Sequence, residues 1–242
     1  TMRSFAEERR NGTLELLLTR PLLEGQVIFA KFLGALALIS LSLVPTLGFV
    51  YILGVLGSPV WNLDLGAIWG SYIGLLLLSS SIAAIGIFLS ASTSQPLVAF
   101  LTAMLLSTVG YIGFTALGDF ALLGNWDYYF VNMGFEAHYR SLSRGLVDSR
   151  DVAYFIFVDL LFLQLARFVL AFERGRLGRE GMRLIMVMTI SSLLLFAAQI
   201  AHTTFDLTAE KRHTLTEGSI VILDELDDHS KDVVVTCYLT GD

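Results

Sequence analysis

The residues least at home in their surroundings are Asp159 and Gln164, set in the apolar run from Asp151 to Phe172. An ionisable group at membrane depth costs a few kcal/mol unless it is paired or wet, so it is a candidate for contact with a substrate or a proton. A carboxyl about two turns inside such a run can also bridge two helices, as can the Gln164 amide, and interhelical bridging is the preferred reading for both. No other residue pattern offers covalent or hydrolytic chemistry. There is no glycine-rich phosphate loop ending in Gly-Lys-Ser or Gly-Lys-Thr, no nucleophile elbow and no His-Glu-x-x-His pair. The chain has one cysteine, Cys237, and four histidines, His138, His202, His213 and His229, with no metal-ligand spacing among them. The expectation is a non-enzyme with no metal or cofactor of its own.

The elements that must position these residues follow from composition. With 55% hydrophobic residues, 16% charged and a mean hydropathy of +0.68, the chain is too apolar for a soluble domain, and its apolar residues come in long blocks. A helix needs about 20 such residues to cross about 30 Å of hydrocarbon. Five runs qualify, at residues 27–53, 66–91, 96–117, 151–172 and 184–201. Pro45 should kink the first, because it cannot donate to the Leu41 carbonyl. The second carries Gly70, Gly74, Gly86 and the cluster Ser79-Ser80-Ser81, small residues that permit close helix contact in lipid. The third follows after a turn of a few residues, so the second and third form a hairpin. The fold class expected is an all-α polytopic membrane bundle of five transmembrane helices, with the start of an extracytoplasmic α/β domain at its C-terminus.

Lys and Arg placement sets the orientation. Arg3, Arg9, Arg10, Arg20 and Lys31 precede or open span one, and Arg174, Arg176, Arg179 and Arg183 lie between spans four and five; both regions are expected in the cytoplasm. The stretch 54–65 has no positive residue, and 118–150 has only Arg140, Arg144 and Arg150. These are expected outside, and an odd number of spans sends the tail after Ala201 there too. The net charge of −6 comes without a basic cluster, so nucleic acid is not an expected partner.

The most charged part of the first half is Ser4–Pro21, directly before span one. Ser4 and Glu7 have the spacing of a capping box for a short helix. Gly12 can end that helix, and Thr13 opens a second turn with Leu14, Leu17 and Leu18 on one face, closed by Pro21. By periodicity alone this is a bent interfacial element. Its wording, E-E-R-R-x-G-T-L-E-L-L-L-T-x-P, resembles the cytoplasmic coupling segment of ABC-2 type permeases, and most of all the gliding-motility-associated (GldF-like) branch. The matching positions are Glu7, Glu8, Arg9, Gly12, Thr13, Leu14, Glu15 and Leu17. The resemblance implies that this segment docks on a separate ABC ATP-binding subunit, which would hold the ATP and Mg, and that a second permease copy faces the first.

A second motif lies between spans three and four. Trp126, Tyr128, Tyr129 and Phe130 suit the headgroup level. Phe135–Gly145 reads as an amphipathic helix ending at a glycine, and Asp148-Ser149-Arg150-Asp151 as the cap of span four. The order H-Y-x-S-x-S-R-G-x-x-D-x-R-D-V-x-Y-F resembles the outer elbow of ABC-2 permeases, carried by His138, Tyr139, Ser141, Arg144, Gly145, Asp148, Arg150 and Asp151. Six spans make one permease in that family. Four are present here, so two are expected before Thr1, and the chain reads as a fragment at both ends.

Residues 173–183 read as a cytoplasmic linker and 184–201 as an anchor for something new. The stretch Phe205–Thr216 resembles the juxtamembrane start of the gliding-associated auxiliary protein (GldG-like), with Thr216 in place of the usual serine. Beyond it a helix ending near Leu226 and a strand over Val233–Leu239 would begin the α/β domain. The expected domains are thus a permease over 1–172, the linker, the anchor, and an auxiliary domain from 202 to 242. The expected function is the permease subunit of an ABC-2 type ABC transporter in a bacterial inner membrane, driven by a separate ATPase. The alternative is a non-transporting platform for an extracytoplasmic interaction domain.

Overall fold

The computed structural model describes residues 1, 4–13, 24–119, 124, 127–173, 177–201, 203–209, 211 and 214. Leu14, Glu15, Leu17, Trp126, and the helix and strand expected after residue 214 lie outside them. Five helices among the described residues are long and apolar enough to cross a membrane: Glu24–Leu56, Leu65–Ser92, Pro96–Gly118, Ser149–Phe172 and Glu180–Ile200. With one two-stranded sheet beside them, they form the all-α polytopic bundle that the composition calls for.

A short helix α1 (Ala6–Arg10) precedes the spans. Span one is α2 (Glu24–Leu43) and α3 (Leu47–Leu56), joined by a single 3-10 turn at Val44–Thr46. This interruption is the expected effect of Pro45. The Thr46 hydroxyl donates to the Leu43 carbonyl at 2.6 Å and lies 2.7 Å from the Tyr72 hydroxyl of the next span. Span two is one unbroken helix, α4 (Leu65–Ser92), with Asp64 as its N-cap accepting from the Ala67 amide. Span three is α5 (Pro96–Thr108) and α6 (Phe114–Asp119), separated by a π-turn at Val109–Gly113 that nothing in its sequence announces. Then come α7 (Asp127–Val131), the elbow helix α8 (Phe135–Ser143), strand β1 (Leu146–Asp148), span four as α9 (Ser149–Glu173), span five as α10 (Leu177–Ile200), and strand β2 (Thr204–Asp206).

Span two is the centre of the bundle. Of its most apolar window 56% is buried, against 6% for spans three and five. Span four packs along it, span five packs on span four, and spans one and three flank span two. Two apolar clusters fill the space between them. Phe5, Ile28, Phe32, Ala83, Ala84, Ile87, Ala91, Ala166 and Leu170 pack near the start of span one, and Leu78, Ile85, Phe135, Leu142, Phe155 and Val158 pack near the elbow. Lipid is as apolar as these side chains, so close packing holds the helices, and the alanines let backbones approach.

The glycines of span two serve contacts other than the span-to-span packing expected of them. A Cβ on Gly70 would lie 2.5 Å from the Leu142 carbonyl oxygen, and one on Gly74 2.9 Å from the Leu142 Cβ. Both therefore seat the elbow helix. Gly86 faces Thr1, whose Oγ1 would be 2.5 Å from an added Cβ.

Candidate functional site

The amino-terminal segment is fixed to one end of the bundle by a fully buried ring. Phe5 is 0% exposed among Ile28, Phe32, Ala84 and Ala91. The capping box expected from Ser4 and Glu7 does not form: α1 has Phe5 at its N-cap and no side-chain cap of its own. Its first amides are satisfied from another helix instead, with the Ser90 hydroxyl accepting from Phe5 N and Ala6 N, each at 3.0 Å. A tertiary partner has replaced the local one, because docking Phe5 brings the end of α4 within reach. The Lys31 ammonium adds three contacts: it donates to the Ser4 carbonyl, pairs with Glu8 at 2.6 Å, and sits 4.1 Å from the centre of the Phe5 ring. A part-exposed ion pair is worth about 0–1 kcal/mol, so the ring dominates. Glu7, Glu8 and Arg9 are half-buried. Gly12 ends the helix at φ +69°, and the Thr13 hydroxyl donates to the Glu8 carbonyl at 3.2 Å. The result is a firmly seated charged turn whose exposed edge is Arg10–Thr13. Close by, Arg167 meets Glu180 at 3.0 Å and Arg183 meets the same carboxyl at 2.7 Å, which places the Arg167 head at this end of the bundle.

Midway along the pair formed by α4 and α9, Asp159 accepts hydrogen bonds from both neighbouring serines. Ser80 Oγ lies 2.7 Å from Oδ2 and Ser81 Oγ lies 2.8 Å from Oδ1. Each carboxylate oxygen therefore has a hydroxyl partner on the facing helix, and the burial cost is offset in place. The geometry is that of interhelical bridging. Gln164 is half-buried further along the same helix and bonds to no other helix among the described residues.

The elbow forms at the other end. The helix α8 stops where Gly145 turns back at φ +86°, as its position in the motif predicts. His138 ties three elements together. A carbonyl can only accept, so Nε2 donates to Asn132 O at 2.9 Å, while Nδ1 faces the Asp151 carboxylate at 2.7 Å and the ring stacks on Tyr154 with centroids 3.9 Å apart. The Tyr154 hydroxyl donates to the Met133 carbonyl at 2.5 Å. Asp148 caps span four as expected, its Oδ1 accepting from the Arg150 amide at 2.9 Å while Oδ2 holds the Arg150 guanidinium at 2.8 Å. Ser141 donates to the Leu146 carbonyl at 3.4 Å, Tyr139 packs over Gly74, and Arg144 is exposed. On the same helix the Glu136 carboxyl is held below its ordinary range by the nearby Thr115 hydroxyl of α6 and then by the Arg140 guanidinium. Under the elbow a cavity of about 960 Å³ opens between spans three, four and five, lined by the polar side chains His138, Arg150 and Asp151 and by apolar ones such as Leu106, Leu161 and Phe162. Tyr128 and Tyr129 lie exposed beside it, 72% and 62%, in keeping with the headgroup level.

The structure thus brings Glu7, Glu8, Arg9, Gly12 and Thr13 together at one end and all eight elbow residues at the other. Sequence reasoning missed Phe5, Lys31, Ser90 and Asn132. Phe5 had one available signal, as the lone aromatic residue in a charged stretch; the others show no local pattern. Among the described residues, the contacts at both ends hold segments in place. The fold therefore defines a multi-pass helical membrane protein with an ordered segment before its first span and an elbow before its fourth. The family model described as ABC-2 family transporter protein matches residues 1–132, and the chain belongs to that family. No curated protein and no solved structure matches it.

Proposed function

We propose that this chain is the permease subunit of an ABC-2 type transporter of the gliding-motility-associated branch, fused to the start of its auxiliary protein. On this reading Ser4–Pro21 docks on a separate ATP-binding subunit that holds the ATP and Mg, a second permease copy completes the pathway, and the amino-terminal segment faces the cytoplasm of a bacterial inner-membrane system with the elbow outside. The supporting observation is the seating of the charged turn. Phe5 and Ser90 hold α1 against spans one and two, so a push on the exposed edge Arg10–Thr13 reaches the bundle without being absorbed by a loose linker. Asp159 is on this reading a bridge between helices and not a substrate group.

The test is charge reversal. Glu7→Lys combined with Glu15→Lys should weaken co-purification with the ATP-binding subunit while membrane insertion stays normal. Unchanged co-purification of a correctly inserted double variant would count against docking. The platform reading, in which the bundle anchors an outer domain without transport, has one observation in its favour: the segment after span five is bonded to the elbow.

A further inference from the structure

We infer that the elbow end of the bundle is a strand-docking groove, that its occupant is the chain's own segment Thr203–Ala209, and that this seat makes that segment move with the elbow. A two-stranded sheet of three residues a side is not stable by itself in water. The strand pairing therefore needs support, and β2 is held by three contacts of which the pairing is only the first.

The first is strand addition. β2 pairs antiparallel with β1 in the register Leu146↔Asp206, Val147↔Phe205 and Asp148↔Thr204. The ladder is continued on both sides, by Ser149 N donating to Thr203 O at 3.1 Å and by Leu207 N donating to Gly145 O at 3.0 Å. Main-chain bonds of this kind give affinity with little demand on side chains.

The second is a floor that only glycine permits. A Cβ on Gly66 would stand 1.6 Å from the Leu207 carbonyl oxygen, far inside any tolerated contact, and one on Gly145 would meet the Ala67 backbone at 3.0 Å and Thr208 Cγ2 at 3.1 Å. The third is a shared cap. Asp64 Oδ1 accepts from Ala67 N and from Ala209 N, each at 3.2 Å, so the group that starts span two also holds the tail. Asp206 shapes the tail by accepting from the Thr208 amide at 3.0 Å and hydroxyl at 2.6 Å, and Thr208 is 6% exposed. Span two, the elbow and the tail thus meet at one place, and a rigid displacement of α8 carries Thr203–Ala209 with it.

The inference does not depend on an ATPase partner, and its test needs none. In the full chain with Cys237→Ser, the pair Val147→Cys and Phe205→Cys sits directly across the ladder. Its Cα separation of about 5.5 Å is within disulfide reach. Mild oxidation of the protein in its membrane should cross-link most of the molecules. Gly66→Val should slow cross-linking at least tenfold, and Gly48→Val, which faces open space, should leave it unchanged. Leu207→Pro removes the amide that bonds Gly145 and lies outside the spans, so it decides the matter if Gly66→Val fails to fold. It should slow cross-linking by a similar factor, and amide hydrogen exchange at 204–206 should rise with it. The inference is overturned if the parent pair does not cross-link, or if Leu207→Pro leaves both cross-linking and exchange unchanged. Loss of ATPase docking in the charge-reversal variant with the cross-link intact would separate the two readings.

Discussion

Phe5→Ala should release the amino-terminal segment while leaving the spans packed. The ring is fully buried between spans one, two and four, and truncating such a phenylalanine costs about 3–5 kcal/mol. The remaining attachments are smaller. The two amide bonds to Ser90 contribute about 1 kcal/mol each, and the Glu8–Lys31 pair less than that. The ring therefore accounts for most of the seat, and losing about 3 kcal/mol raises the detached fraction roughly a hundredfold, at about 1.4 kcal/mol per factor of ten. The assay is hydrogen exchange by mass spectrometry on protein in lipid nanodiscs, following the hydrogen-bonded amides of Arg9 and Asn11 against those of α4. Phe5→Ala should speed the first set about a hundredfold and leave the second unchanged. Ser90→Ala, which loses both bonds, should speed the first set about thirtyfold, and Phe29→Ala, at a site 53% exposed, should do nothing. Exchange within threefold of the parent in Phe5→Ala would refute the anchoring argument. Equal acceleration along α4 would show instead that Phe5 belongs to the global packing.

Two further predictions address the middle of the bundle and its orientation. Interhelical hydrogen bonds in membranes average about 0.6 kcal/mol and reach about 1.7, so Asp159→Ala, which loses two, should lower stability in a denaturing-detergent titration by about 1–3 kcal/mol. Asp159→Asn keeps an acceptor oxygen and should lose less than about 1 kcal/mol; on the proposed function it should also keep stimulation of the ATP-binding subunit, and a stable Asn variant without stimulation would assign the carboxylate to a substrate or a proton. Cys237 is the sole thiol, so a membrane-impermeant maleimide should label it from outside intact cells. Labelling only after the membrane is breached would reverse the proposed orientation.

What was legible in the sequence is what a local pattern can carry. The five spans follow from run length, the break in span one from Pro45, the end of the elbow helix from Gly145, and the cap of span four from Asp148. The rest depends on partners far apart in the chain. Ser90 caps α1 across 85 residues, and Asp64 holds Ala209 across 145. The strands β1 and β2 are three residues each, too short for an alternating pattern to show, and each exists because the other is there. The Ser4–Glu7 spacing shows the same limit from the other side. It is a sound local signal that lost to a tertiary acceptor better placed by the burial of Phe5. Asp159 and the serine cluster were each visible, yet only the packing of spans two and four shows that they belong together.

These long-range contacts converge on one helix, and that bears on where the bundle can move. Span two holds the amino-terminal segment through Gly86 and Ser90, span four through Ser80 and Ser81, the elbow through Gly70 and Gly74, and the tail through Gly66. Gly66, Gly70 and Gly74 recur every four residues, so they lie along one face. Over its 28 residues this helix extends about 42 Å without a proline, a 3-10 turn or a π-turn, and span four is unbroken as well. Spans one and three differ. Each is interrupted, at Val44–Thr46 and at Val109–Gly113, and each has most of its surface outside the core. Such interruptions are where a helix bends at least cost, because backbone bonds are already out of register there. Bending in this bundle therefore falls to spans one and three. The pair formed by spans two and four, pinned at Asp159, is the unbroken connection between the Phe5 end and the elbow.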